Sequence, residues 1–163
     1  MTLELATNPQ LIDFLMVADN LCADERDQYE SATGGRYDPQ QMALSHITLP
    51  GPKWVLFDEG KPIAIAGYLM QRPGVWRDWM LTTPECWMPE NWFSVTRHVR
   101  RVMDMMLKDH AHRLECVSKA GRERAHKWYR CLGLVSEGTL SGWGADGCDA
   151  VLFARVRKHP HGR

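Results

Sequence analysis

The segment from Arg122 to Leu134, RERAHKWYRCLGL, restricts the fold more than any other part of the chain. Residues that favour burial recur at helical spacing along one face of it, namely Ala125, Trp128, Tyr129 and Leu132. Gly133 follows, and glycine adopts the left-handed conformation that ends many helices at no steric cost. The segment therefore predicts a short amphipathic helix with a sharp end at Gly133.

Extended runs flank this helix on both sides. Arg113–Ser118 precedes it, and Leu134–Val135 follows it directly. A glycine-rich turn at Gly142–Gly147 then leads to the apolar run Ala150–Val156. The C-terminal part of the chain is therefore predicted as strand, helix, strand and a closing hairpin strand.

The N-terminal part carries two helix signals. Asn8 and Pro9 are suitable as a cap and a first helical residue, so a helix is predicted from Pro9 to Cys22. A second, short helix is predicted after Pro39, with Met42, Ala43 and Ile47 on its buried side. The residues between them, Ala23–Gly35, are strongly polar and receive no predicted element.

The middle of the chain alternates strands and turns. Lys53–Phe57 and Pro62–Leu69 form a predicted hairpin around a tight turn, and Val75–Thr82 reads as a third strand. Period-two geometry places Trp76, Asp78 and Met80 on one face of that strand, with Arg77, Trp79 and Leu81 on the other. A loop with two prolines follows, and a long amphipathic helix is predicted from about Glu90 to Asp109.

This order of elements, together with four residues of the C-terminal helix, resembles the GNAT acetyltransferase family. The family helix reads roughly Asn-x-x-Ala-x-x-x-Tyr-x-x-x-Gly-Phe, and the matching positions here are Ala125, Tyr129, Gly133 and Leu134. Arg122 stands at the Asn position, which is a departure. The resemblance implies an α/β (α+β) fold with a mixed, mostly antiparallel sheet and about four helices, without a clear first strand. A single domain over residues 1–156 and a basic, flexible tail over 157–163 are expected.

Composition excludes several functional classes. The 163 residues include 20 basic and 20 acidic side chains, so nucleic acid is not expected as the main partner. The five cysteines form no CxxC pair, which argues against a disulfide framework or a zinc site and favours a reducing compartment. No apolar run approaches the roughly 20 residues that span a bilayer. A cytoplasmic protein without a metal or a membrane partner is expected.

The resemblance also implies an activity, the transfer of an acetyl group from acetyl-CoA to the amine of a small molecule or protein. Tyr129 matches the tyrosine that protonates the departing thiolate in many members of the family. A base must take the proton of the amine, and Asp78 on the third strand is the first candidate, with Glu115 on the next strand second. The alternative for Tyr129 is a structural residue of the core, and for Asp78 an ion pair with a neighbouring arginine.

The loop that would hold the cofactor departs from the family. Family members have a glycine-rich loop after the third strand, whose N–H groups and following helix hold the diphosphate. Here residues 82–91 contain no glycine, no basic residue, two prolines and two glutamates. The positions that the resemblance assigns to cofactor contacts are Thr82, Thr83, Arg97, Arg122 and Ala125. Arg97 is equally compatible with a solvated surface.

This departure supports a second hypothesis from another functional class. The glycine-less loop and the tryptophan-rich third strand also look like the degenerate GNAT-like proteins of podoviruses and prophages, one of which is an internal virion protein. The chain would then bind a phage or host protein partner, in the host cytoplasm or the virion, without chemistry. The two hypotheses differ structurally. The enzyme requires the third and fourth strands to separate around a cleft, whereas paired strands, or a cleft filled by Trp76, Trp79 or Trp87, would exclude it.

Overall fold

The computed structural model describes residues 3–157, and seven strands of that range form one sheet. The elements are listed in chain order as β1 Glu4–Thr7, α1 Leu11–Asp19, α2 Ala23–Thr33, α3 Pro39–Ile47, β2 Lys53–Asp58, β3 Lys61–Arg72, β4 Val75–Thr82, α4 Pro89–Asp109, β5 Arg113–Lys119, α5 Glu123–Cys131, β6 Val135–Leu140 and β7 Ala150–Val156. A single 3₁₀ turn, Pro84–Trp87, connects β4 to α4. The predicted mixed α/β fold is confirmed.

The sheet order is β1-β2-β3-β4-β5-β7-β6, and β4–β5 is the parallel pair among otherwise antiparallel neighbours. Helices α4 and α5 cover one face through a core that includes Val95, Met103 and Trp128. Helices α1 and α3 cover the other face around Phe14 and Met42. These two layers bury much of β2 to β5, so a cavity within this part of the sheet requires neighbouring strands to separate.

Three sequence-based expectations need correction at the N-terminal end. The first helix begins at Leu11 and ends at Asp19, because Gln10 and Asp13 form a capping box there, while Asn8 lies outside it with φ of 58°. A first strand, β1, is present and pairs antiparallel with β2. The polar stretch after Cys22 is the helix α2, which makes five helices in the described residues. The sequence of α2 lacks the apolar periodicity that predicts a helix. In the structure, accordingly, only Ser31 of α2 is buried.

Other predictions hold. Gly133 has φ of 87°, and the Leu134 N–H donates to the Tyr129 carbonyl at 3.0 Å, which is the bond pattern of a left-handed helix end. The faces of β4 are also as predicted, because Trp76 and Met80 pack beneath α4 and α5 whereas Trp79 packs against the α1–α3 layer. The predicted tail falls on residues 158–163, outside the described residues, except Arg157. The guanidinium of Arg157 donates to the carbonyls of Leu107, Lys108 and Ala111.

Candidate active site in the fork between two strands

Strands β4 and β5 pair only at their first three residues and then separate. The last pair joins Arg77 to Glu115, and beyond it the two strands share no register. We call the opening between residues 78–82 and 116–119 the fork. The separation that the enzyme hypothesis requires is therefore present.

A cavity of about 330 Å³ occupies the fork and reaches both faces of the sheet. Asp78, Cys116 and Tyr129 line it on the α4–α5 side, and Trp79 and His46 line it on the α1–α3 side. Trp87 also lines this fork cavity, and Trp76 does not. The cavity remains open between Trp79 and Trp87, so these indoles form its walls without filling it.

Asp78 is the acidic side chain of β4 that faces this cavity from beneath α5. Its Oδ1 atom is buried from solvent and has no hydrogen-bond partner within residues 3–157. Burial raises the pKa of Asp78 to about 7, while the Cys116 thiol and Arg77 act in the opposite direction. A carboxylate with a pKa near neutrality and a free acceptor atom is suited to accepting a proton.

Tyr129 reaches the same cavity from α5. Its ring packs on Phe153, with centroids 5.3 Å apart, and on Trp128 at 6.0 Å. Burial raises the pKa of Tyr129 well above its usual value of 10, so the phenol keeps its proton at neutral pH. The structure thus brings the first two predicted catalytic residues, Asp78 and Tyr129, to one cavity from different elements.

Glu115, the second candidate base, has a different environment. Arg77 donates to one of its oxygens at 3.1 Å and Arg113 to the other at 3.0 Å. Arg113 in turn pairs with Glu137. Burial acts to raise the pKa of Glu115, but the two guanidinium groups outweigh it and the pKa is lowered. Both carboxylate oxygens are engaged, so Glu115 joins β4 to β5 at the base of the fork.

The loop after β4 does not fit a diphosphate. Several of its amides are used internally, since Cys86 N–H donates to the Thr83 carbonyl at 3.1 Å and Met88 N–H to the Glu85 carbonyl at 3.2 Å. Pro84 and Pro89 have no N–H, and the Glu85 carboxylate pairs with Lys61 on the surface. An anion approaching this loop would meet few free donors and a negative charge, so acetyl-CoA is not held here in the family manner.

Tryptophans occupy the space between this loop and α5. Trp87 packs on Trp92 and Trp128 with ring centroids 5.4 and 5.1 Å away, and its Nε1 donates to Thr82 Oγ1 at 2.7 Å. Arg124 lies over the Trp87 ring and donates to its carbonyl at 3.0 Å. This cluster further closes the approach to the start of α4.

The other predicted cofactor residues are distributed unevenly. Thr82, Arg122 and Ala125 line the fork cavity. Thr83 is buried and donates its N–H to the Ile63 carbonyl at 2.9 Å. Arg97 is exposed on the outer side of α4, in a shallow groove with Arg100 and Arg101, and is not part of the fork.

Sequence reasoning missed the contribution of α2 to this site. Glu25 enters the open end of the fork, where the Thr82 N–H donates to Glu25 Oε2 at 2.8 Å and the Thr82 hydroxyl donates to Oε1. Burial raises the pKa of Glu25 to about 7, although its bonds to Thr82 lower it. The available signals were Asp24 and Glu25, which favour a helix start, and Gly34, which favours a helix end.

No family model matches the sequence, and no curated protein sequence is similar to it. Solved structures with the GNAT fold do resemble it. The acetyltransferase (GNAT family) from Bacillus anthracis has a TM-score of 0.73 at 11% identity, covering 98% of this chain and 97% of that one. Ribosomal-protein-S5-alanine acetyltransferase from Vibrio fischeri has 0.69 at 17%, covering 99% and 97%. A spermidine N-acetyltransferase variant from Vibrio cholerae has 0.70 at 14%, covering 96% and 94%.

These similarities show that the chain has the GNAT fold over nearly its whole length. Within residues 3–157, no helix has the length and apolar character needed to cross a membrane. The same range contains no group of three histidine, cysteine or acidic side chains placed to hold a metal ion.

Proposed function

We propose that the chain is an N-acyltransferase whose reaction takes place in the fork cavity. The observation that carries this proposal is the convergence of Asp78 and Tyr129 on one cavity at the point where β4 and β5 separate. Asp78 has a free acceptor atom, and Tyr129 keeps its proton at neutral pH. Acyl transfer to an amine requires one group of each kind.

The two residues have complementary roles in this proposal. The amine nitrogen attacks the acyl carbon, and Asp78 accepts the proton that the nitrogen loses. The bond from the acyl carbon to the leaving sulfur then breaks, and Tyr129 donates its proton to that sulfur. Transfer of a proton from Asp78 to the phenolate restores both groups. The cavity walls exclude bulk water from the acyl group and so disfavour its hydrolysis.

The identity of the acyl donor is also part of this proposal. Acetyl-CoA is the family donor, but the loop at residues 82–91 does not fit its diphosphate. A donor that relies on the fork alone should be accepted as well. The acceptor is an amine, on a small molecule or a protein. The resembling structures include both a ribosomal-protein-alanine and a spermidine acetyltransferase, so their names do not choose between these classes.

The test compares acetyl-CoA with the acetyl thioester of N-acetylcysteamine, which lacks the nucleotide, against a panel of amines. We expect acylated amine with at least one donor. Tyr129→Phe should lower kcat roughly 100-fold with KM little changed, because the phenol acts on the leaving group alone. Tyr37→Phe is the matched control, since its hydroxyl bonds to the Ala18 carbonyl outside the fork. Equal turnover by Tyr129→Phe and wild type would refute this assignment.

A non-catalytic binding role is the second candidate, favoured by the loop at residues 82–91, whose amides are used internally. In that case the partner would be a phage or host protein, with a virion as one setting. Absence of turnover with both donors across the amine panel, together with a captured protein partner that shields the fork, would support it over the enzyme.

A further inference from the structure

Helix α2 is held across the open end of the fork mainly by polar bonds, and Tyr29 adds an apolar contact with the α1–α3 core. Ser31 is its one buried residue, and the other side chains are exposed or half-buried. The side chains that hold it to the fork are all polar, namely Asp24, Glu25, Asp27, Gln28 and Ser31. Three of these five are carboxylates.

The carboxylates of α2 face two cations at the end of β5 and the start of α5. Arg122 donates to Asp24 Oδ2 at 2.8 Å and to Gln28 Oε1 at 2.7 Å. Lys119 Nζ lies 2.8 Å from both Asp27 Oδ2 and Ser31 Oγ. Outside α2, the Arg122 side chain hydrogen-bonds only with Ser118 among the described residues. The Lys119 ammonium also approaches Asp146, but at a longer distance. Most of the neutralisation of both cations therefore comes from α2.

The same helix also uses main-chain groups of both separated strands. The Lys119 N–H donates to Gln28 Oε1 at 3.0 Å, and the Thr82 N–H donates to Glu25 Oε2 at 2.8 Å. The Cys22 N–H, just before α2, donates to the Thr82 carbonyl at 2.9 Å. These groups lie where β4 and β5 diverge, and they bond to α2 and the residue before it instead of to a neighbouring strand. Helix α2 therefore occupies donors at this end of the fork that an entering ligand could use.

The attachments of α2 are of a kind that a ligand is able to replace. The carboxylates of Asp24 and Asp27 are exposed, so water solvates them readily once they leave their partners, whereas Arg122 and Lys119 are mostly buried and need a replacement anion. An eleven-residue helix has little stability of its own in water. Gly34, with φ of 71°, and Gly35 follow the helix and give the chain a flexible junction.

We propose that α2 is a displaceable strap over an anion site formed by Lys119, Arg122 and the Thr82 amide. The ligand of this site is a polyanion of the diphosphate class, for which the α2 carboxylates stand in. The site uses Thr82, the last residue of β4, and does not include residues 83–91, which do not fit a diphosphate. That the diphosphate belongs to an acyl donor rests on the proposed function, whereas the anion site itself does not.

The test uses inorganic pyrophosphate as the probe, with calorimetry for binding and hydrogen exchange for the state of residues 23–33. In the wild-type protein, saturating pyrophosphate should increase exchange in that segment as the helix is displaced. Asp24→Asn/Asp27→Asn should raise exchange there without ligand and bind pyrophosphate on the order of tenfold more tightly, because two competing anions are gone. Glu59→Gln/Asp109→Asn removes the same charge at exposed positions, in the β2–β3 turn and at the end of α4, and should match wild type.

Two results would overturn the strap. One is wild-type pyrophosphate binding that leaves exchange in residues 23–33 unchanged, or no binding at millimolar pyrophosphate. The other is equal affinity of the Asp24→Asn/Asp27→Asn and Glu59→Gln/Asp109→Asn variants for pyrophosphate. If the first variant does not fold, the wild-type exchange experiment decides alone. These measurements involve no turnover, so failed acyl transfer with a normal pyrophosphate response would refute the proposed function and leave the strap in place.

Discussion

Asp78→Asn should make the protein more stable in alkali than the wild type, and equally stable in acid. Burial raises the pKa of Asp78 from 3.8 to about 7. A raised pKa in the folded state means that the carboxyl group favours folding below its unfolded pKa and that this contribution is lost as the pH rises through 7. The asparagine has nearly the same shape and never becomes charged.

The magnitude follows from the two pKa values. One pH unit between them corresponds to about 1.4 kcal/mol, so an isolated carboxylate at pH 8 would cost the wild type about 4 kcal/mol. Water inside the cavity solvates part of the charge and reduces this cost to on the order of 2–4 kcal/mol. For a chain of this size, the variant should then melt roughly 5–15 °C above the wild type at pH 8. Near pH 4 the difference should be under about 1 kcal/mol.

Thermal unfolding followed by circular dichroism from pH 4 to pH 9 measures this effect. Glu115→Gln is the control with the opposite sign, because Arg113 and Arg77 lower the pKa of that carboxylate despite its burial. Removing its charge should destabilise the protein at pH 8 by about 3 kcal/mol, with a smaller deficit in acid. Parallel melting curves for Asp78→Asn and wild type across this range would refute the desolvation of Asp78. The argument for Asp78 as a base would then lose its physical basis.

Two further predictions concern glycines. Gly67→Ala should destabilise the protein by about 1–3 kcal/mol and displace Trp79 from the cavity wall, because the new Cβ would lie 2.4 Å from the indole. Melting and Trp fluorescence check this, and Gly35→Ala, whose Cβ would be in ordinary contact with Thr33 Oγ1 at 3.8 Å, should be nearly neutral. Gly133→Ala should cost about 1 kcal/mol, visible as a lower melting temperature, because φ of 87° is unfavourable for alanine; an unchanged melting temperature would contradict the need for glycine at this helix end.

Local patterns in the sequence predicted most elements because those elements have an apolar face with a definite period. Helix α4 shows this clearly, since Val95, Val102, Met103 and Met106 recur at helical spacing and are all buried. The β2–β3 hairpin is similarly local, because its turn residues and its strands are adjacent in sequence. Helix α2 was missed because it lacks such an apolar face. Its contacts are mainly polar, and their partners lie far away in the sequence.

The sequence by itself determined the elements that have an apolar period, the faces of β4 and the helix end at Gly133, because each depends on residues within a few positions of one another. It also identified Asp78 and Tyr129 as candidates. Only the tertiary structure decided that the sheet opens after Arg77 and Glu115, since strand separation depends on pairing between residues 38 positions apart. It likewise decided that Glu25 lies in the fork against Thr82, a contact across 57 positions. The environments that distinguish Asp78 from Glu115 are set by neighbours on other strands and helices, and no local pattern encodes them.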